Sequence, residues 1–502
     1  MSTLIIVESP AKAKKIQGFL GKEYIVLSSY GHICNLDIKK GKDAVEVDNN
    51  FKLNFSNLND KKKVISQLLN AKKKVKKVII ATDEDREGEA IGYHLIKLLK
   101  LDVNTTERIL FNEITKTAIC KSIEKPIKLR MNFVYAQFCR MALDHIIGFR
   151  LSPLLWNNIN GPKGLSAGRV QSVLTKLVIE KKDKQENSKI DNYYKINGNF
   201  NYLNNNIKAS IKEPIKDYIN LLKLSIGETF IIKNIINKKI ENKPSPPYTT
   251  SSLQQDVSSS LGLSTSNVMK IAQQLYEEGH ITYHRTDSVN LSVDFISNAK
   301  KYIIKEYGNE YSKTRNFKNN STNAQEAHEA IRPTKIENKD LNTNDIKNKV
   351  YILIWKRALS TQMTNQIINN IILEINCNKY KNTYISSNEE IIFNGFKILY
   401  NSKYDIKYIN FIKTLKIGLQ LNYKKISADE QIKNKPDVFT ESTLVKDLEK
   451  KGIGRPSTYA SMIDKIQNKQ YVLKTDIKGT KNNLTNYYLI IKFNEDGEPF
   501  HS

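Results

Sequence analysis

Three carboxylates alternate at Asp83, Asp85 and Glu87, and a fourth, Glu8, ends the apolar run Leu4 to Val7. In an extended segment that alternation puts all three on one side, roughly 7 Å apart. Such a concentration of negative charge calls for a hard divalent cation held by oxygen, with Mg²⁺ and phosphate chemistry the natural pairing. Glu84 and Glu89 read differently, as acids complementing the dipole of a helix that starts nearby. A second candidate is Ile281-Thr282-Tyr283-His284-Arg285, which follows a helix expected from about Ser264 to Glu278 and stopped by Gly279. If the chain emerges extended, Tyr283 and Arg285 point the same way. A phenol of pKa about 10 must lose its proton to attack phosphorus, and a neighbouring guanidinium both favours the anion and holds phosphate. With 25 tyrosines in the chain, a structural role for any one of them stands beside that reading.

These groups need elements to carry them. Residues 4 to 8 read as a short buried strand, then Ser9 as a helix cap, Pro10 at the first helical position and a helix over Ala11 to Leu20. The same grammar returns with a strand at Val78 to Ala81, the acidic stretch Thr82 to Glu89 and a helix through Lys100, whose Ile91, Leu95 and Leu98 share a face. Two such units imply a parallel α/β sheet with its acids at the carboxyl ends of the strands, where such sheets keep their sites. From about Asn132 to Gln185 the pattern is helical, interrupted by Gly161-Pro162-Lys163-Gly164. Residues near 193 to 240 and 367 to 424 are rich in Ile, Tyr, Phe and Thr, with a turn at Asn394-Gly395, and read as β structure. They bracket a helical block entered through Lys243-Pro244-Ser245-Pro246-Pro247 and carrying a polar loop from Ser312 to Asn323.

Length and composition bound the rest. At 502 residues the chain needs several cores. Its 79 Lys and Arg against 52 Asp and Glu give a net charge of +27, which favours polyanionic partners, although the crowding of Lys, Asn and Ile also fits the codon bias of an AT-rich genome. Lysine runs such as 61 to 63 and 72 to 74 read as solvated helix faces. Four scattered cysteines form no Cys-x-x-Cys pair, which argues against a zinc ribbon or a disulfide framework and fits a reducing cytosol. No apolar run approaches the roughly 20 residues of a membrane span. Gly18-Phe-Leu-Gly21-Lys22-Glu23 has the wrong spacing and ending for a nucleotide-binding phosphate loop, so no ATP fuel is expected.

Taken in order, the motifs resemble those of a family. Val7-Glu8-Ser9-Pro10-Ala11-Lys12 with Asp83-x-Asp85-x-Glu87-Gly88-Glu89 looks like a Toprim domain. Gly164-Leu-Ser-Ala-Gly168-Arg169-Val-Gln171-Ser172, Ile281 to Ser288, Gln325 to Thr334 (Gln-Glu-Ala-His-Glu-Ala-Ile-Arg-Pro-Thr) and Gly452-Ile-Gly-Arg455-Pro-Ser-Thr458 narrow the resemblance to type IA DNA topoisomerases, on the bacterial topoisomerase I side. It runs from residue 1 to about 475. The resemblance implies a soluble, cytoplasmic, nucleoid-associated monomer that relaxes negatively supercoiled DNA without ATP, using Mg²⁺ and no zinc. Tyr283 would be the nucleophile taking the 5′ phosphate, Arg285 its phosphate clamp, Lys12 a stabiliser of the phosphorane charge, and Glu8 a general acid toward the leaving 3′ oxygen; Glu8, Asp83, Asp85 and Glu87 would hold the metal. DNA contacts would come from His32, Arg140, Met141, Asp144, Phe149, Trp156, the segment Ser166, Ala167, Gly168, Arg169, Val170 and Gln171, and from His328, Arg455 and Thr458. Met141 departs from the family pattern, where many relatives carry a second arginine, and core packing is an equal reading for Phe149 and Trp156.

The implied architecture is a four-domain toroid of mixed α/β, α and β parts: a Toprim α/β domain over 1–125, a helical strand-binding domain over 126–190 with 440–502, a β hinge over 191–245 with 362–439, and a helical domain over 246–361 carrying Tyr283. Only about 30 residues follow Val472. Zinc ribbons and the last part of the family core are therefore expected to be missing, with strand passage affected more than cleavage.

Overall fold

The computed structural model describes residues 2–160, 164–188, 191–317, 329–400, 404–433, 436–456, 458–476, 485–493 and 499–501. Near the N-terminus, Thr3–Val7 pairs in parallel with Tyr24–Ser28 on one side and Lys77–Ile80 on the other, and Glu107–Arg108 extends the sheet beyond Lys77–Ile80. The central strand is apolar from Leu4 to Val7 because both its faces are covered. Leu4 and Ile6 join Ile80, Ile91 and Leu95 in one cluster, whereas Ile5 and Val7 join Ile79 in another. Helix Pro10–Gln17 begins as expected, with the Ser9 side chain accepting from the Lys12 amide and Pro10 in the first turn, but it stops at Gln17 rather than Leu20. Helix Arg86–Leu98 carries Ile91 and Leu95 into the core.

The second face of this sheet does not close on itself. Ile5, Val7, Ile79 and Ala81 share one continuous apolar cluster with Leu253, Val268, Ala272, Leu275, Tyr276, Ile281 and Tyr283. Those residues belong to a helical block built from Thr250–Leu261, Thr265–Glu277, Val293–Tyr307 and Ile346–Ser360. The chain between its last two helices includes residues outside the described set.

Strands Asp191–Tyr202, Asn205–Ile211, Phe230–Asn242, Gln366–Asn376, Tyr384–Phe393 and Gln420–Lys433 form a ring of six, closed by pairing of Phe230–Asn242 with Gln420–Lys433. Phe200, Phe230 and Tyr384 fill it. Closure hides the strand edges that an open sheet would expose. Asn394-Gly395 does not make a hairpin turn; it leads into a 3₁₀ turn, Gly395–Tyr400. A further difference lies at the C-terminal end. Asn486–Phe493 pairs with Gln420–Lys433 and so belongs to the β structure rather than to the helical part assigned to 440–502.

Helix Met131–Asn158 is one 28-residue rod despite Pro153. Helix Gln171–Glu186 packs through Leu174 against Glu441–Lys450 and Tyr459–Asn468, whose Leu444, Val445, Leu448, Met462, Ile463 and Ile466 form a separate small core. Among the described residues no helix is long and apolar enough to cross a membrane.

Candidate active site

The acidic loop is built by the end of one strand and the start of one helix. Asp85 is the N-cap of Arg86–Leu98, its Oδ1 accepting from the Gly88 amide at 2.8 Å. A side chain at Gly88 would place its Cβ 2.1 Å from the Asp83 carbonyl oxygen, so this position admits only glycine. Glu87 therefore lies in the first helical turn, and the trio is not the extended row expected from its alternation. Arg108 pins the loop from below, donating to the Thr82 carbonyl at 3.0 Å and the Asp83 carbonyl at 2.9 Å. Glu89 is not a solvated dipole partner either: it is fully buried between Arg108, at 3.0 Å, and Arg130, at 2.7 Å. Two cations compensate a charge that burial alone would make costly.

Glu8 ends the central strand, and its Oε1 accepts from the Asp83 amide at 2.8 Å. Burial, then the negative charge of Asp83, lifts its carboxyl to about 8. Lys12, buried, forms an ion pair with Asp83, and its ammonium stands 5.0 Å from the centre of the Tyr276 ring. Burial would lower the lysine, but Asp83 and Glu8 outweigh it and raise its pKa.

The tyrosine arrives from the helical block. Thr265–Glu277 ends in a Schellman motif, with the Gly279 amide donating to Tyr276 O and the His280 amide to Leu275 O, both at 2.8 Å. Gly279 has φ +75°, and a Cβ there would come 2.6 Å from the Ile114 carbonyl. Four residues later the Tyr283 hydroxyl donates to Asp85 Oδ2 at 2.7 Å. Arg285 Nη1 lies 3.2 Å from Glu87 Oε2 and 3.6 Å from Asp85 Oδ2, so tyrosine and arginine reach the same acids. Here the arginine does not win: burial and the charges of Asp85 and Asp83 drive the Tyr283 pKa well above 10 despite it. Against burial, Tyr283 first and then Asp85 and Glu87 hold Arg285 above its ordinary value. Glu87 falls to about 2, chiefly through its hydrogen bond to His32, which stands 3.3 Å away.

A cavity of about 490 Å³ opens beside these groups, lined by Asp85, Glu87 and Arg285, by Arg140, Met141 and Asp144 of helix Met131–Asn158, and by Arg455 and Thr458. Four widely separated motifs thus meet at one opening. Asp144 is shared between Arg140 at 3.8 Å and Arg169 at 3.0 Å. Met141 also packs toward Leu36, Val45 and Ala142. Gln137, Asp287 and Ser461 line the same cavity; sequence reasoning missed them, although Gln137 lies one helical turn from Met141 and Asp287 two residues beyond Arg285.

The other expected contacts divide. Gln171 is buried and donates to the Ser166 carbonyl at 2.6 Å, bracing the Ser166 to Gly168 segment. Val170 packs into the small helical core. Tyr471 holds the same segment by accepting from the Ser166 amide and donating to its carbonyl, while Ala167 and Gly168 donate their amides to Ser152 and Ser172 at 3.2 Å. Thr458 is buried, its hydroxyl donating to the Arg455 carbonyl. Phe149 and Trp156 are exposed, which removes the core-packing alternative for both. His328 lies outside the described residues.

An α/β sheet with acids at its strand ends, one of which, Asp85, caps the next helix, is the mark of the Toprim class, and a Toprim domain model matches residues 3–114. A family model described as DNA topoisomerase matches residues 128–486, and the chain belongs to that family. It is similar to DNA topoisomerase 1 of Rickettsia typhi (strain ATCC VR-144 / Wilmington), 39% identical over 93% of this chain and 64% of the relative. The DNA topoisomerase 1 of Rickettsia bellii (strain RML369-C) is likewise 39% identical, over 93% of this chain and 62% of the relative. The chain thus spans just under two thirds of the length of these curated relatives. The structure of full-length topoisomerase I from Thermotoga maritima superposes with a TM-score of 0.81 at 33% identity, covering 97% of this chain and 80% of that one.

Proposed function

We propose that this protein is an ATP-independent type IA DNA topoisomerase that relaxes negatively supercoiled DNA. The observation that carries the reading is the 2.7 Å hydrogen bond from Tyr283 to Asp85, with Arg285 beside both. Tyr283 Oη would attack a phosphodiester phosphorus, forming the Oη–P bond as the P–O3′ bond breaks. The phenol proton has Asp85 Oδ2 in line to receive it, and Glu8, whose pKa burial pushes up, would be the acid for the departing 3′ oxygen. Arg285 and Lys12 would hold the phosphate charge. The phosphotyrosine ester conserves the energy of the broken bond, so resealing by the 3′ hydroxyl needs no nucleotide.

The donor set fits a hard divalent cation, Mg²⁺ above all. Glu8, Asp83, Asp85 and Glu87 offer only oxygen, and the repulsion that lifts Glu8 would be relieved by a positive ion. Among the described residues no three such groups converge as a ready ligand set, and in this structure Lys12 pairs with Asp83 and Tyr283 with Asp85. When bound, the ion would neutralise charge at the phosphate during resealing. The four cysteines are free and supply no zinc centre in this reading.

Single-stranded DNA would enter along the cavity, its phosphates met by Arg140, Arg169, Arg455 and His32, with the exposed Phe149 and Trp156 as stacking surfaces. The protein would work as a monomer in the cytoplasm on nucleoid DNA. Two assays test the reading: relaxation of negatively supercoiled plasmid with Mg²⁺ and no ATP, and capture of protein-linked 5′ ends on an oligonucleotide. Tight DNA binding with neither product would overturn it.

A further inference from the structure

We infer that Glu113 is a positioning residue for the nucleophile, docking the strip Asn112 to Ile114 against the tyrosine segment, with Glu329 keeping Arg332 paired when that strip lets go. The inference rests on the topoisomerase reading, in which passing a strand through the break requires the helical block that carries Tyr283 to part from the sheet that carries the acids.

The strip touches the block at three successive residues. The Asn112 carbonyl accepts from the Tyr283 amide at 2.7 Å. Glu113 Oε2 accepts from Arg332 Nη1 at 2.9 Å. The Ile114 carbonyl comes so near Gly279 that no side chain fits between them. Arg332 is itself one backbone step from the nucleophile, because its amide donates to Thr282 Oγ1 at 3.0 Å and its carbonyl accepts from the Thr282 amide at 2.9 Å. A pull on Glu113 is therefore transmitted to Tyr283 by two routes, through the strip's own backbone and through Arg332 and Thr282.

Charge explains why this contact can be reversible. Arg332 is 5% exposed, and a buried guanidinium stripped of its carboxylate is strongly destabilising. Glu329, however, comes from the block itself, three residues earlier, and binds Arg332 through Nη2–Oε2 at 2.7 Å and Nε–Oε1 at 3.1 Å, with Ser292 Oγ accepting from Nη2 at 3.2 Å. If the sheet and block separate, Arg332 keeps Glu329 and Ser292 and loses only Glu113. On the other side, Glu113 Oε1 still accepts from the Thr115 hydroxyl at 3.0 Å, and its carboxylate gains water. The pairing is built so that closure adds one charge-assisted hydrogen bond and opening strands no charge.

The test is residue-resolved hydrogen exchange of the Tyr283 amide in the full chain without DNA, alongside oligonucleotide cleavage. Glu113→Gln should speed exchange at Tyr283 by about tenfold or more, the weight of one lost charge-assisted hydrogen bond. Cleavage should slow with oligonucleotide affinity unchanged, and the melting temperature should stay near wild type. Glu113→Asp, which keeps the charge on a shorter arm, should fall between and serves if the glutamine variant folds poorly. Unchanged Tyr283 exchange in both variants overturns the inference whatever the activity. Faster exchange with a wild-type protein that forms no adduct upholds the docking role and removes the topoisomerase reading instead.

Discussion

The Tyr283 hydroxyl donates to Asp85 Oδ2 at 2.7 Å across 198 residues of sequence, while the other oxygen of the same carboxylate caps a helix by accepting from Gly88. One aspartate therefore anchors its own loop and receives the tyrosine. The cap makes its position rigid, so the block is read against a fixed point when it closes.

Replacing Tyr283 by Phe removes the attacking oxygen and little else, since Asp85 keeps Gly88 and Arg285. The variant should bind single-stranded DNA within about twofold of wild type, because phosphate contacts dominate that affinity, yet yield no protein-linked 5′ ends. Arg285→Lys should retain binding and lose cleavage at least tenfold, a point charge replacing a planar fork that spans Glu87 and Asp85. Gel capture of the covalent adduct measures both, and adduct from Tyr283→Phe would exclude Tyr283 as nucleophile.

Changing Asp83 and Asp85 together to Asn preserves the helix cap, for asparagine caps as well as aspartate, but deletes two of the candidate metal ligands. Plasmid relaxation and resealing should lose their dependence on added Mg²⁺ by falling to the level seen with EDTA, whereas DNA binding persists. Wild-type relaxation that is indifferent to EDTA would contradict the metal assignment.

Gly88→Ala tests the loop rather than the chemistry. Its Cβ would overlap the Asp83 carbonyl at 2.1 Å, with Asp83 held by Arg108 and Lys12. Overlap with fixed backbone should cost about 2 kcal/mol or more. Thermal unfolding should report a lower melting temperature and cleavage should fall with it; an unchanged transition would mean that the loop can shift.

His94, near enough to His32 to feel its charge, offers a pH signature. It is buried against Phe138, with ring centroids 5.3 Å apart, and Phe55, at 4.7 Å, and burial lowers its pKa from 6.5 to about 4. The folded protein keeps this ring neutral while the unfolded chain protonates it, so its stabilising share is complete above pH 6.5 and is lost as pH falls toward 4. By pH 5 the loss is about 2 kcal/mol. His94→Phe should therefore lose less stability than wild type between pH 7 and pH 5 in parallel thermal melts. Equal losses would show that the ring takes up a proton in the folded state.

Much of the site was legible one element at a time. Ser9 and Pro10 announced the helix that carries Lys12, the acids announced the end of a parallel strand, and Gly279 announced where the helix before Tyr283 would stop. Each is a local signal, because capping, turn conformation and the apolar period of a strand depend on neighbours a few residues away. Family motifs added roles that those signals could not supply.

What only the tertiary structure decided is who meets whom. Alternation placed Asp83, Asp85 and Glu87 in a row, but the close approach of Gly88 to Asp83 starts the helix early and sends them to three partners: Lys12, Tyr283 and Arg285. Glu89 looked like its solvated neighbours and is buried between two arginines, and Gln171 turns out to be buried and bonded to the Ser166 carbonyl. These outcomes hang on one non-local event. Ile5 and Val7 share one buried apolar cluster with Leu275 and Tyr276 of a block more than 200 residues away, and that shared core brings the tyrosine to the acids. Local periodicity says which face of a strand is apolar; it carries no information about which distant face will cover it, because burial rewards area and fit rather than sequence distance.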